Sequence, residues 1–534
     1  MAVMTVIPES LAKYTELAQA AAASAEWIVA NGPWLRHIIE QHKRWIKEEE
    51  IEKFQEAYDG ELESIEKREK SRGDDVNHKL HASYAQLVVD TVVDYMLGKP
   101  IIWTFEDPLA TVDEKIITEY KEELLPLLNE KQSRRVLREQ LTQGSVAGYS
   151  GVIAWVDEDG QIDYEEFPVQ ETIPVYDSRG RLKLVIRYYE IEVFEPGNDI
   201  AVRKTKVEVY DERYVTYYLS DATGSSYAID PYEEATGNPI EHKAGRIPVS
   251  LFVNGTAARY KKRKERNGTS DLSIVFNLIE NYAHVMSDKA NTADRLLDQF
   301  LLLKNVDLGN PKQAEQNVMM MRKARSLALK NKESDASFIA PEQNDTTIEN
   351  HLTRVKESIH ELTFTPKLSD LSGATATEIK LKYSSLDIKA GKKEIYFISA
   401  IEELIKILTD MLNYKRLVEA NVKNPYDVIR GKATSNIELY KPEWAQFTIN
   451  RNLPQNFLEI AQIVSNLVNI VPDIYLYELL WFIEDPVTAI EEMKAQKEEE
   501  SKRQAQVSLG ALGYGGEFSK TDTDEDEDKK EDEE

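Results

Sequence analysis

Between Asp157 and Glu166 stand six carboxylates, Asp157, Glu158, Asp159, Asp163, Glu165 and Glu166. Clustered oxygens of this kind coordinate hard divalent cations. The same positions suit turns and the solvent faces of short strands, which need no metal, and that reading is preferred. His78 and His81 form a close pair of imidazoles without a further ligand nearby, so they read as capping or surface residues. Gly144-Ser145-Val146-Ala147-Gly148 has the order G-S-x-x-G instead of the G-x-S-x-G of a nucleophile elbow, and reads as a turn leading into a strand. Near the C-terminus Asp522, Asp524, Asp526, Asp528 and Glu533 match the ligand spacing of a calcium loop. Glu527 fills the place that needs glycine and no helix follows, so the segment reads as acidic disorder. The chain contains no cysteine, which excludes disulfides, thiolate metal sites and thiol nucleophiles. Phosphate-loop, H-E-x-x-H and kinase signatures are missing too. No catalytic, cofactor or metal residue is therefore assigned.

Charge restricts the partners. The net charge is −28; residues 521–534 hold ten acids against two lysines, so about −20 remains on residues 1–520. An acidic body does not grip nucleic acid by neutralising phosphates, although it lets a duplex slide past. Bases gather twice: at Arg259, Lys261, Lys262, Arg263, Lys264 and Arg266, and at Arg322, Lys323, Arg325, Lys330 and Lys332. The first cluster suits phosphates, an acidic neighbouring subunit or a solvated loop. Ala20 to Ala25 resemble a cleavage site, but Glu9, Lys13 and Glu16 stand where a signal peptide needs an apolar core. No apolar run reaches the ~18 residues of a membrane span, and Leu87 to Leu97 is interrupted by Asp90 and Asp94. A soluble, intracellular protein is expected, with length for about three or four domains.

Hydrophobic spacing then places the elements. A helix is predicted from Pro33 to Gly60, with Leu35, Ile38, Ile39, His42, Trp45 and Ile46 on its largely apolar face. Another carries Tyr84, Leu87, Val88, Thr91, Val92 and Tyr95 and stops at Gly98 in a left-handed cap, with Pro100 beyond. Ile101 to Phe105 reads as a strand, and about Asp113 to Leu141 as helical. From Gly151 to about Asp230 β-branched and aromatic runs alternate with turn residues, which predicts an antiparallel sheet. Ser270 or Asp271 caps a helix through Leu296. Strands at Leu301 to Asp307 and Ser326 to Leu329 and a helix at Gln313 to Lys323 make a small mixed subdomain between helices. Further strands are predicted at Ile437 to Leu439 and Ala445 to Ile449. Helices follow at Phe457 to Val468, at Tyr475 to Phe482, and in a charged stretch to about Gln506.

One stretch organises the whole. Ile348, Leu352, Val355, Ile359 and Leu362 lie at helical spacing. Thr363 to Gly373 then breaks the helix through Pro366 and Gly373. From Ala374 to Leu417 the chain has no proline and one glycine, Gly391. There Phe397, Ile401, Leu404, Leu408 and Met411 follow the 4-3-4-3 pattern of helix packing. A rod of such length suits an assembly, with a helix-hairpin core in a monomer as the alternative. Composition and spacing stop at a multi-domain interaction protein of α+β class, mainly helical. Two rivals stand beside it: a metal-dependent nuclease, and a cellular helical scaffold.

Several motifs, taken together, resemble the portal proteins of tailed bacteriophages, of the type common in phages of Gram-positive hosts. They are Asp90-Thr91-Val92-Val93-Asp94-Tyr95-Met96-Leu97-Gly98-Lys99-Pro100, Ile173-Pro174-Val175-Tyr176-Asp177 and Ile186-Arg187-Tyr188-Tyr189. To these are added Ser270-Asp271-Leu272, Asn281-Tyr282, Ser287-Asp288 and Ala290-Asn291. Ser372-Gly373, Leu453-Pro454 and Trp481-Phe482-Ile483-Glu484-Asp485-Pro486 complete the set. Thr375 to Ile379 and the acidic tail depart from the family pattern.

The resemblance implies a portal-like subunit that assembles into a ring of about twelve copies at one capsid vertex, with double-stranded DNA passing along the axis without sequence specificity. Residues 1–269 and 374–452 resemble the family's wing, 270–299 and 346–362 its two stem helices, 300–345 its clip and 453–506 its crown, with 507–534 a disordered acidic tail. Residues 363–373 resemble the loop that lines the channel, which implicates Thr363, Phe364, Lys367, Ser369, Asp370 and Ser372. A plain interhelical connection is the alternative for that loop. Arg322, Lys323 and Arg325 would meet partners at the clip. The partners implied are the terminase large subunit, the head-completion adaptor, and the scaffold and major capsid proteins. No cofactor is implied. The expected location is the virion, and the host cytoplasm during assembly.

Overall fold

The computed structural model describes residues 32–69, 76–157, 159–177, 181–194, 201–231, 237–255, 268–297, 300–304, 335–339, 345–367 and 376–452, with shorter stretches between 310 and 319 and between 457 and 497. The chain divides into two units, Met1–Leu453 and Pro454–Glu534. In the second, the described helices are Phe457–Leu467 and Asp473–Glu478.

The first unit's opening helix is shorter than its periodicity predicts. α1 (Gly32–Glu48) and α2 (Ile51–Tyr58) are separate, because Glu50 turns into the left-handed region at φ 58°. The kink lets both apolar faces find cover. Leu35, Ile38 and Ile39 pack on Ile173, Ile186, Val207 and Tyr218 of a sheet, while Phe54 turns edge-on to Phe276 at 5.2 Å. That sheet is wholly antiparallel, in the order β4 (Thr172–Tyr176), β5 (Leu182–Val193), β6 (Val202–Tyr210), β7 (Tyr214–Ser220) and β8 (Tyr227–Ile229), with β9 (Ile240–Glu241) also on β7. It occupies the stretch whose turn signals predict it. His42 of α1 is buried between the hydroxyls of Tyr188 at 3.0 Å and Tyr149 at 3.3 Å, and burial pushes its imidazole down to about 3.

A short α3 (Glu63–Glu66) buries Ile65 within a charged run. α4 (Tyr84–Leu97) follows the predicted span. Its buried face is wider than predicted, taking in Ala85, Val89, Val93 and Met96, while Leu87 is exposed. Gly98 corrects the expected cap: its φ is −69°, an ordinary right-handed value. A Cβ there would meet the Asp94 carbonyl oxygen at 2.3 Å and Asn452 Nδ2 at 2.7 Å. Close approach of the Asp94 carbonyl and of Asn452, not backbone chirality, excludes a side chain.

β1 (Ile102–Phe105) leads to α5 (Glu114–Asn129) and α6 (Lys131–Ala147). α6 runs through Gly144, Ser145 and Val146, and only Gly148, at φ 98°, makes the turn. The G-S-x-x-G stretch is thus mainly a last helical turn. Gly144 admits the Phe252 ring, whose nearest atom lies 2.3 Å from where a Cβ would be. β10 (Val249–Val253), β2 (Tyr149–Val156) and β3 (Ile162–Phe167) then pair in that spatial order.

α7 (Phe276–Leu297) and α8 (Asp345–Thr363) pack on each other and bound a hairpin of β11 (Phe300–Lys304) and β12 (Asp335–Ile339). The hairpin's second strand lies beyond Ser326 to Leu329, the stretch predicted to be a strand, which falls outside the described residues. α9 (Ala376–Glu419) is one continuous helix of 44 residues, about 66 Å long at 1.5 Å per residue. All five residues of its predicted seam are buried, and Phe252 and Phe397 meet edge to face at 5.4 Å. α10 (Pro425–Ile429) follows, and β13 (Ala445–Thr448) pairs with β1. The strand expected at Ile437 to Leu439 is not formed. Tyr440 instead exchanges backbone–amide hydrogen bonds with Asn413 of α9, its N–H donating at 2.8 Å and its carbonyl accepting at 2.9 Å.

Candidate functional site

Where α8 ends, the chain begins the loop that the sequence singles out. Phe364 has φ 58°, its N–H donates to Glu361 O at 3.4 Å, and the Thr365 N–H donates to His360 O at 3.0 Å. This is the double bond pattern of a Schellman cap, whose left-handed position normally belongs to glycine. A phenylalanine there is strained by about 1–2 kcal/mol. Neighbouring side chains hold it. His360 Nδ1 is 2.9 Å from Thr365 O, and the Thr363 and Thr365 hydroxyls are 2.8 Å apart, all buried. Phe364 itself is 50% exposed. It lines an open groove of about 390 Å³ with Glu361, Pro366, Lys367, Lys382 and Ser385.

Lys367, the loop base expected to touch phosphates, lies 3.4 Å from Glu357 of α8, so its charge is partly answered within the subunit. Ser369, Asp370 and Ser372 fall outside the described residues, as do Arg322, Lys323 and Arg325 and the basic run 259–266. Of the predicted site residues, the structure brings together Thr363, Phe364 and Lys367.

Behind the loop stands a charged junction that sequence reasoning missed. Lys389 of α9 donates to Thr363 O at 3.3 Å, on the negative end of the α8 dipole, and its ammonium lies 3.2 Å from Asp271 Oδ2. One helical turn on, Lys393 donates to Asp271 at 2.8 Å and to Ser145 Oγ at 2.6 Å. Asn254 adds a hydrogen bond to the other Asp271 oxygen at 2.9 Å. Burial pushes the Asp271 carboxyl up, but Lys393 and Lys389 outweigh it and hold it well below the usual carboxylate range. Burial also lowers Lys393, against the pull of Asp271.

The Ser145–Lys393 contact has the composition of a nucleophile and its base. Both residues are buried, however, and the Ser145 hydroxyl donates back to Leu141 O at 2.6 Å. The arrangement is a clamp that joins the end of α6, the approach to α7, the end of α8 and the middle of α9. One signal was legible: Lys393 falls in phase with Leu386, Ala390 and Phe397, at a core position where an unpaired lysine is costly.

Packing elsewhere fixes the same helix. Arg451 bonds Asp387 and Glu394 of α9, the latter at 2.6 Å, and its guanidinium lies over Gly391 at 3.1 Å from where a Cβ would be. Tyr95 of α4 donates to Asp387 at 2.8 Å. Among the described residues there is no group of three or more His, Cys, Asp or Glu side chains arranged to hold a metal ion. Nor is any described helix long and apolar enough to cross a membrane.

Comparison with known proteins decides the family. The family model described as "Phage portal protein, SPP1 Gp6-like" matches residues 35–503, which include the whole helix–hairpin–helix–loop–long helix succession. The chain belongs to the phage portal protein family. The portal protein of Bacillus phage SPP1 is 24% identical over 331 residues, spanning 60% of this chain and 59% of that relative's length. The matched range, 35–503, spans Phe364 and Asp271.

Proposed function

We propose that this portal protein forms a closed ring, roughly twelve subunits round, at one vertex of a viral capsid, and that double-stranded DNA enters and leaves along its axis. The observation that carries the reading is the succession α7, hairpin, α8, capped loop and 44-residue α9, inside a chain whose family model spans residues 35–503. In this reading α7 and α8 are stem helices, the segment between them is the clip, and the loop from Thr363 to Gly373 faces the channel. Residues 1–269 and 374–452 form the wing, with α9 as its spine, and 453–506 the crown.

The charge favours passage over grip. With about −20 on residues 1–520, duplex DNA meets like charge along the ring and slides. The clip, with Arg322, Lys323 and Arg325, is the docking place for the terminase large subunit and the head-completion adaptor. Scaffold and major capsid proteins surround the ring in the virion. Proheads assembled with and without this chain test the reading: DNA should enter only those that contain it, and equal packaging by both would overturn it.

A further inference from the structure

Asn254 directly follows β10, and the residue after it is Gly255. An asparagine followed by glycine modifies itself in water, because the glycine nitrogen has no neighbouring Cβ to shield it. That nitrogen attacks the side-chain carbonyl carbon Cγ, the new C–N bond closes a five-membered imide, and the amide nitrogen leaves as ammonia with the glycine proton. Water then opens the imide at either carbonyl, which leaves aspartate or isoaspartate. In the folded chain the carboxamide is held away from this course. Asn254 Nδ2 donates to Thr269 O at 2.8 Å and to Asp271 Oδ1 at 2.9 Å, and the residue is 6% exposed. Its backbone is fixed as well: its N–H donates to Gly148 O at 2.8 Å, and its carbonyl accepts from the Thr269 N–H at 3.0 Å.

We propose that Asn254–Gly255 is a spontaneous deamidation site, open in the unfolded chain, closed in the folded one, and incompatible with the Asp271 clamp once it has reacted. Both partners of Asn254 Nδ2 are oxygens. A carboxylate in its place sets an anion against the Thr269 carbonyl and against the buried Asp271 carboxylate, so two donor bonds become two repulsions where little water screens them. The clamp lysines do not relieve this, since Lys393 at 2.8 Å and Lys389 at 3.2 Å engage the other oxygen, Asp271 Oδ2. Isoaspartate adds a carbon to the main chain and so displaces the backbone pairing of residue 254 with Thr269. The fold thus protects a residue on which its own clamp depends, and a chain left unfolded loses that residue irreversibly. This goes beyond the ring reading above and does not depend on it.

The test uses the full wild-type chain, kept in mildly alkaline buffer either folded or in guanidinium, with peptide mapping by mass spectrometry at intervals. Asn31 and Asn267 also precede glycine and lie outside the described residues, so their peptides serve as references in the unfolded chain. Asn254 should convert alongside them in guanidinium, and at least about tenfold more slowly in the folded protein, where two hydrogen bonds must open first. On return to native buffer, chains that refold should carry Asn254, and converted chains should stay in the unfolded fraction. No conversion in guanidinium, equal rates in both states, or equal conversion in the refolded and unfolded fractions would each overturn the proposal. Two further variants isolate the charge. Asn254→Asp should lower the guanidinium midpoint further than Asn254→Ser, which loses the bonds without adding an anion. Asn254→Asp with Asp271→Asn again sets one amide opposite one carboxylate, and should raise the midpoint above that of Asn254→Asp alone. An Asn254→Asp midpoint equal to or above that of Asn254→Ser, or no recovery in the double variant, would overturn the clash with the clamp.

Discussion

Lys393 and Asp271 meet at 2.8 Å across 122 residues of sequence, and the contact pins the middle of the longest helix to the approach of α7. Lys389 extends it to the last carbonyl of α8. Through these two lysines the segments on either side of the capped loop share one buried anion, so the loop springs from a fixed base.

Removing that anion leaves Lys393 buried without its charge partner. Asp271→Asn should therefore lower stability by about 3–5 kcal/mol, the usual cost of breaking a buried pair. Lys393→Met in the same chain should recover much of the loss, since a matched apolar side chain needs no partner. Guanidinium denaturation checks both, and an Asp271→Asn midpoint equal to wild type would contradict the clamp.

Acid should weaken the junction of α1 with the large sheet. Burial holds His42 near 3, far below its ordinary 6.5, so the unfolded chain binds a proton that the folded chain refuses. The stability concerned is fully present above pH 6.5 and is lost as pH falls through the window from 6.5 to 3. It amounts to about 2 kcal/mol between pH 7 and pH 5. His42→Asn should flatten this part of the stability–pH curve in urea titrations, whatever it costs at pH 7. An unchanged slope would show that the imidazole does not stay neutral.

How much of this was legible follows from what kind of interaction each element uses. The seam Phe397–Ile401–Leu404–Leu408–Met411 and the strands of the antiparallel sheet depend on local periodicity, and both lie where the sequence puts them. The break at Glu50 was not legible, since nothing in a charged run marks which residue will turn left-handed. Gly98 shows the opposite case: its position as a helix stop was readable, but its cause is crowding by the Asp94 carbonyl and by Asn452, the latter brought in from 354 residues away. The Asp271–Lys389–Lys393 clamp unites four distant segments, so only the odd lysine in a core phase hinted at it. Thr363 and Lys367 are predicted loop residues whose partners, Lys389 and Glu357, only tertiary packing supplies.

Gly98→Ala separates the two explanations by sign. Helix propensity alone favours alanine over glycine by about 1 kcal/mol. Contact with Asp94 O and Asn452 predicts instead a loss of about 1–3 kcal/mol, typical of overpacking. Thermal unfolding of the variant decides it, and a raised Tm would contradict the packing account.

The capped loop yields a prediction with two readouts. Phe364→Gly should relieve the left-handed strain and stabilise the subunit by about 1 kcal/mol. Lys367→Ala, and deletion of Ser369 to Leu371, should leave assembly intact. If the loop faces passing DNA, all three variants should reduce DNA packaged per prohead. Normal packaging by all of them would reduce the loop to a plain connection between α8 and α9.

The central claim is that this chain closes on itself around a channel. Electron micrographs of the purified full-length protein across a concentration series test it most directly. The account predicts closed rings with a central hole seen end-on; a field of monomers and dimers at every concentration would contradict it.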